Sequence, residues 1–437
     1  MVKNYQGFPL AVLGPLVAIG FYAINLGAQE LSSDVAQGSK HPVNPKHREY
    51  SYLGVGSCSS SNCHGASKPS SKLPILGNEF FTWYKEDKHS QAYKILLNQD
   101  AKRIASNLGL GSPEQEPACL TCHATFAKEE LRGPKFNLED GVSCESCHGA
   151  AGDWIRSHAE KDASHAGNVA NGMHDLVPPL KRAAACISCH QGDESRQLNH
   201  RLYGAGHPRV GFESDTYEAV MPRHWLVDAD YQKRKAPYSP SKAWLAGQYA
   251  LAERFITELS KDSKHPDFSL YSCYSCHHDF ARREFLYKSY QGKPGEPPLN
   301  FSHLRVLTVA LRGVIKDPID QEGPIVTADV TSSNGLTQLK ASLVNLRKQV
   351  DGFNPNSNNL KHVLRALIKS LTVKENYDLQ YIEQSIMGIS ALSSELKISS
   401  NDYQQTITQL YQATKNAHLA DPEQISEIAA RLLKKVE

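Results

Sequence analysis

Apolar residues recur at helical intervals most clearly in the last quarter of the chain. Leu336, Leu339, Leu343, Leu346 and Val350 follow the three- and four-residue steps that put side chains on one helix face. Leu360, Val363, Leu364, Leu367 and Leu371 repeat the pattern, as do Leu379, Ile382, Ile386 and Ile389. Asp421 followed by Pro422 reads as an N-cap with proline at the first helical position, opening a last helix to Val436. Residues 336–437 therefore predict a helical bundle. Its apolar faces form a core or, on the alternative reading, a surface on which a partner docks.

Upstream the pattern is weaker. Helices are predicted over Ser90–Leu108, on Ala92, Tyr93, Leu96, Leu97, Ile104 and Leu108, and over Ala243–Leu259. Strand-like alternation is sparse and Gly and Pro are frequent, so the fold class is mainly α with little β. Gln291-Gly-Lys-Pro-Gly-Glu-Pro-Pro and a loose stretch over 319–335 mark residues 291–335 as a linker. At the other end, Lys3 precedes an apolar run from Phe8 to Ala28 that closes on small residues. Residues 1–28 read as an export signal or, because Leu26 spoils the cleavage site, as a retained membrane anchor through 8–28. Residues 29–49 then join it to the body of the protein.

Charge narrows the partners. The chain has 437 residues, and 48 Lys and Arg oppose 46 Asp and Glu. That balance gives no electrostatic reason to expect nucleic acid.

The cysteines carry the chemistry. All ten lie before residue 277 and fall in close pairs. Disulfides across such short spacings close almost no loop and restrain little. Four pairs read Cys119-Leu-Thr-Cys122-His123, Cys144-Glu-Ser-Cys147-His148, Cys186-Ile-Ser-Cys189-His190 and Cys273-Tyr-Ser-Cys276-His277. This is the C-x-x-C-H signature of c-type haem attachment. Two thiols on one helical turn reach the two vinyl groups of a haem, and the following His is placed beneath the iron. Paired C-x-x-C motifs also build zinc ribbons, but zinc does not require His directly after every pair.

The remaining pair reads Cys58-Ser59-Ser60-Ser61-Asn62-Cys63-His64, with four residues between the cysteines. Given its neighbours, it reads as a fifth site whose extra residues bulge out. The expected cofactor is therefore haem c, five copies and at least four. Haems more than side chains should fill the core of residues 50–290, a multihaem cytochrome c domain.

Five irons take up to ten axial ligands, and His64, His123, His148, His190 and His277 supply half. Met173 and Met221 are the only plausible methionines, so His should supply the rest, which points to low reduction potentials. The distal candidates are His89, His158, His207, His200 and His224. His165, His174, His265 and His303 stand in reserve, and His278 is too close to His277 to share its iron.

Several of these segments resemble exported multihaem cytochromes of the cytochrome c-554 type. They are Cys119-Leu-Thr-Cys122-His123, Gly141-Val-Ser-Cys144-Glu-Ser-Cys147-His148-Gly149-Ala150, Trp154, Asn199-His200, Gly206-His207-Pro208-Arg209, Met221-Pro-Arg-His224-Trp225 and Cys273-Tyr-Ser-Cys276-His277-His278-Asp279. The resemblance spans about residues 50–290. It implies haems stacked in close pairs, mostly bis-His ligated, and it favours His89, His158 and His207 as ligands. The longer first spacer and the helical C-terminal third depart from the family pattern.

The leading functional reading is an exported, periplasmic electron carrier serving redox partner proteins. One rival is an enzyme of the nitrite- or hydroxylamine-converting type with one open iron. Such pentahaem nitrite reductases usually carry Lys at the catalytic motif, whereas all five motifs here end in His. The other rival is a filament built from stacked copies of this chain.

Overall fold

The computed structural model describes residues 50–436 apart from 71–74, 226–228, 230–236, 263, 274–275, 278–296, 313, 315–332, 374–377 and 416–420. The targeting segment 1–28, the linker 29–49, His278, most of the Gly/Pro stretch after Gln291 and the loose stretch from 319 to 332 lie outside the described residues.

The motif-bearing half is a series of short helices: α1 (Glu79–Glu86), α2 (Ala92–Ile95), α3 (Gln99–Leu108), α4 (Pro117–His123), α5 (Cys144–His148), α6 (His165–Ala170), α7 (Pro179–His190), α8 (His200–Gly204) and α9 (Ser214–Val220). Longer helices follow: α10 (Pro240–Leu259), α11 (Ser302–Leu311), α12 (Ser333–Asp351), α13 (Ser357–Leu371), α14 (Leu379–Glu395), α15 (Asn401–Thr414) and α16 (Pro422–Leu433). Among the described residues β structure is limited to two isolated bridges, Tyr52 with Arg132 and Tyr271 with Leu299. No described helix is long and apolar enough to cross a membrane.

The single helix expected over Ser90–Leu108 is broken. A 3-10 turn over Lys88–Gln91 and α2 precede α3. The break is local chemistry: the side chain of Asn98 accepts a hydrogen bond from Ala101 N at 2.8 Å and caps α3.

α10 organises the packing. Every residue from Ala243 to Ala252 is buried, as expected of a helix apolar on all sides. It packs on α7, α9, α11, α12 and α14. Its Trp244 lies against Gly388 of α14, where a Cβ would come within 2.3 Å of the indole, so only glycine fits. Because α7 ends in the Cys186–His190 motif, Leu180, Ala183 and Ile187 share one apolar core with the C-terminal helices. The expected boundary at residue 290 therefore does not divide the packing. Nor is all of 291–335 a linker. Leu304, Val306, Leu307, Ala310 and Leu311 of α11 are buried in that same core, a helical pattern masked in the sequence by its Gly- and Pro-rich flanks.

Candidate haem centres

The motifs sit where short helices deliver them. α4, α5 and α7 each end on the motif His, at His123, His148 and His190. In the last motif, His277 N donates to Cys273 O at 2.9 Å, the ordinary helical closure from a residue to the fourth before it. The first motif closes between the corresponding residues, the motif His and the first Cys, over six residues instead of four: His64 N donates to Cys58 O at 3.2 Å. Its extra residues fold away as a turn, with Cys63 N and Gly65 N both donating to Ser60 O. Gly65 is required there, since a Cβ would lie 1.8 Å from Ser59 O. None of the ten cysteines is in a disulfide.

The ten histidines named from the sequence meet in five pairs, one motif His in each. Ring centres lie 6.2 Å apart for His64 with His158, 6.4 Å for His123 with His207 and 6.2 Å for His148 with His224. They lie 6.1 Å apart for His190 with His89 and 6.4 Å for His277 with His200. Two imidazoles sharing an axial metal at about 2 Å each have ring centres about 6 Å apart, because each ring centre lies roughly 1 Å behind its nitrogen. The spacing thus fits an iron between the members of each pair. The members come from distant segments, so each site joins two stretches of chain. The planes are near parallel for His64 with His158, at 12°, and nearly perpendicular for His148 with His224, at 85°.

Further features fit a haem rather than a bare ion. The indole N–H of Trp154 is buried without a partner, and its ring lies 5.3 Å from that of His158. A haem propionate is the kind of acceptor such a donor lacks. The Nδ1 atoms are also occupied: His123 by Ala92 O at 3.1 Å, His158 by Ile155 O at 2.7 Å and His207 by Pro208 O at 2.8 Å. With Nδ1 engaged, Nε2 is left to bind metal.

Electrostatics divide the rings. Burial and the neighbouring imidazoles hold His148 and His190 down at about 4, so both are neutral. The carboxylates of Glu79 and Asp87 instead raise His64 and His89 despite burial.

The reserve histidines have other roles. His303 is buried among the C-terminal helices, with Nδ1 2.8 Å from Gln248 Oε1 and Nε2 3.0 Å from Gln380 Nε2. His174 Nδ1 is 3.0 Å from Cys147 O, and His165 pairs with Asp175 at 3.0 Å. Sequence reasoning passed over Glu79, Asp87 and Glu145. Glu145, between the two cysteines of its motif, is 2 % exposed and accepts from the backbone N–H groups of Leu53, Gly54 and Ala151. It ties the segment before Cys58 to the third motif. A carboxylate between the two cysteines of a C-x-x-C-H motif was the available signal.

Residues 58–149 match the family model described as cytochrome c554 and c-prime. Over that stretch the chain is similar to cytochrome c554. The match runs from Cys58 to Gly149 and takes in the first three motifs. No curated protein and no solved structure matches the chain. Similarity to this multihaem c-type family over 58–149 implies covalent haem c, electron transfer and export.

Proposed function

We propose that this protein is a periplasmic electron carrier with five covalent haems, each held between two histidines, that passes single electrons between redox partner proteins. The observation that carries the reading is the division of ten histidines into five pairs, each with one motif His. The haems supply reversible one-electron iron chemistry. The chain supplies thioether anchors, axial nitrogens and burial, and bis-His ligation keeps the potentials below those of His/Met cytochromes.

The proposed order of the sites in space is Cys58–His64, Cys144–His148, Cys186–His190, Cys119–His123 and Cys273–His277. The side chains of Cys58 and Cys144 are close neighbours, which supports the first step. Cys147 lies within the field of Cys189, which supports the second. The thiols of Cys189 and Cys122 are in contact, which supports the third. His200 opens α8 and His207 follows it closely, which supports the last.

The test is the intact mass of the denatured, exported protein together with its spin state. Five haem increments and only low-spin ferric signals are expected. Four increments would remove the Cys58–Cys63 site, and a high-spin signal that shifts with nitrite or cyanide would make the protein an enzyme with an open iron. His158→Ala should convert one haem, and one only, to a high-spin form.

A further inference from the structure

Among the described residues, two of the five pairs have a carboxylate at a ring Nδ1, and both carboxylates sit at the ends of one helix. Glu79 is the first residue of α1, and its Oε2 lies 3.1 Å from His64 Nδ1, in contact though not well aligned for a hydrogen bond. Asp87 is the C-cap of α1, and its Oδ1 lies 2.9 Å from His89 Nδ1. The other Nδ1 partners described above are neutral backbone carbonyls, at His123, His158 and His207.

Both carboxylates are held in place. Glu79 Oε1 accepts from Gly77 N at 3.0 Å, and Asp87 Oδ1 accepts from His89 N at 3.0 Å. Their side chains are only 14 % and 9 % exposed. The helix between them is fixed by Trp83, whose indole N–H donates to Val142 O at 3.0 Å, two residues before the third motif. α1 is thus a short rigid bar reaching from the His64–His158 pair to the His89–His190 pair.

A carboxylate at Nδ1 raises the basicity of the opposite ring nitrogen, and a more basic axial ligand stabilises ferric over ferrous iron. We propose that Glu79 and Asp87 are positioning residues that lower the reduction potentials of the haems held by His64 and His89, making these two sites the electron-poor ends of steps along the wire. Asp87 should act more strongly, since its contact is aligned and less exposed. The inference rests on the five-haem reading above.

The experiment is potentiometry, haem by haem, on the full-length holoprotein and on Glu79→Gln and Asp87→Asn. The amides keep an acceptor oxygen and lose the charge. Each variant should raise the potential of one haem, a different one in each, with the others unmoved. The expected size is on the order of tenfold in the ferric/ferrous equilibrium, which is about 59 mV for one electron. A hydrogen bond with only a structural role would be rescued by the amide and leave the potentials unchanged, which overturns the proposal. Intact mass separates the two failures. Unchanged potentials with five haems present defeat this inference alone, whereas a wild-type protein lacking the haem at Cys58 and Cys63 defeats the reading beneath it. Should one variant lose its haem, the other carries the test. If both do, the carboxylates hold the sites together rather than tune them, and the proposal fails.

Discussion

Between Tyr50 and Ser239, apart from Leu180, Ala183, Ile187 and Phe212, which join the C-terminal core, the buried apolar side chains are scattered: Val55, Trp83, Ala105, Ala127 and Trp154 lie far apart in sequence, and one small cluster joins Leu96, Leu120 and Ala124. From Pro240 onward, helix after helix contributes three or more buried apolar residues to a single core. Both stretches are of similar length and both are helical, yet only the second contains enough apolar side chain to account for its own packing. What the first has instead is four pairs of imidazoles with thiols beside them, and His200, which meets His277 of the second stretch. The contrast fits the proposed haems: one half of this chain has the apolar side chains to fold on its own residues, and the other would be completed by groups attached to it, as happens when a bound group exists only in the folded state.

The sharpest way to break that contrast is to withhold haem. Full-length protein made without haem attachment should lose hydrogen-exchange protection throughout 50–239, except where α7 packs on α10, while α10 to α16 stay protected. Equal protection in both halves would show that the motif region is held by its own side chains. A narrower cut comes from Gly65→Ala. The added Cβ meets Ser59 O at 1.8 Å, so the turn that closes the first motif cannot form. Intact mass should then show one haem fewer with the remaining sites unchanged, and retention of every haem would mean that the turn is not what presents Cys58 and Cys63.

The two halves also differ in how far they could be read from sequence. Helical periodicity located the bundle because apolar burial is what makes those helices. Leu360, Val363, Leu364, Leu367 and Leu371 are all buried as their spacing requires. The C-x-x-C-H motifs were legible because covalent attachment constrains neighbouring residues. The distal histidines were named as a set, but which faces which was hidden, because His64 meets His158 and His190 meets His89 across long stretches of chain whose register no local pattern fixes. α11 was missed for a related reason: its flanking Gly and Pro residues read as linker, although Leu304, Leu307 and Leu311 share one face. Glu79 had no sequence signal at all, since it reaches His64 only through the fold.

Within the bundle, effects should be those of ordinary packing. Leu307 of α11 is completely buried, and Leu307→Ala should cost about 2–5 kcal/mol, read as a lower midpoint for the cooperative melting of α10 to α16. The haem spectrum at temperatures below that transition should not change. A shift in spin state at a temperature where the bundle is still folded would show that the two halves are coupled more tightly than their shared helix contact implies.

The smallest expected effect concerns pH and again belongs to the bundle. Burial, reinforced by the nearby Arg209 guanidinium, holds His303 down at about 3, against about 6.5 for an exposed histidine. The contacts suit the neutral ring: Nδ1–H donates to Gln248 Oε1, and Nε2 accepts from Gln380 Nε2, whose own Oε1 accepts from Arg209. A protonated ring would set its second N–H against the amide N–H of Gln380. Above about pH 6.5 the ring is neutral in both folded and unfolded chains and costs nothing. Below that, the unfolded chain binds a proton that the folded ring refuses, so stability should fall by up to about 1.4 kcal/mol per pH unit until the ring itself is protonated near 3. Denaturant midpoints measured between pH 6.5 and 4 should therefore decline more steeply for the natural protein than for His303→Gln, which cannot titrate. Equal slopes would place the acid sensitivity elsewhere, and would mean that the polar contacts around His303 rearrange to accept its charge.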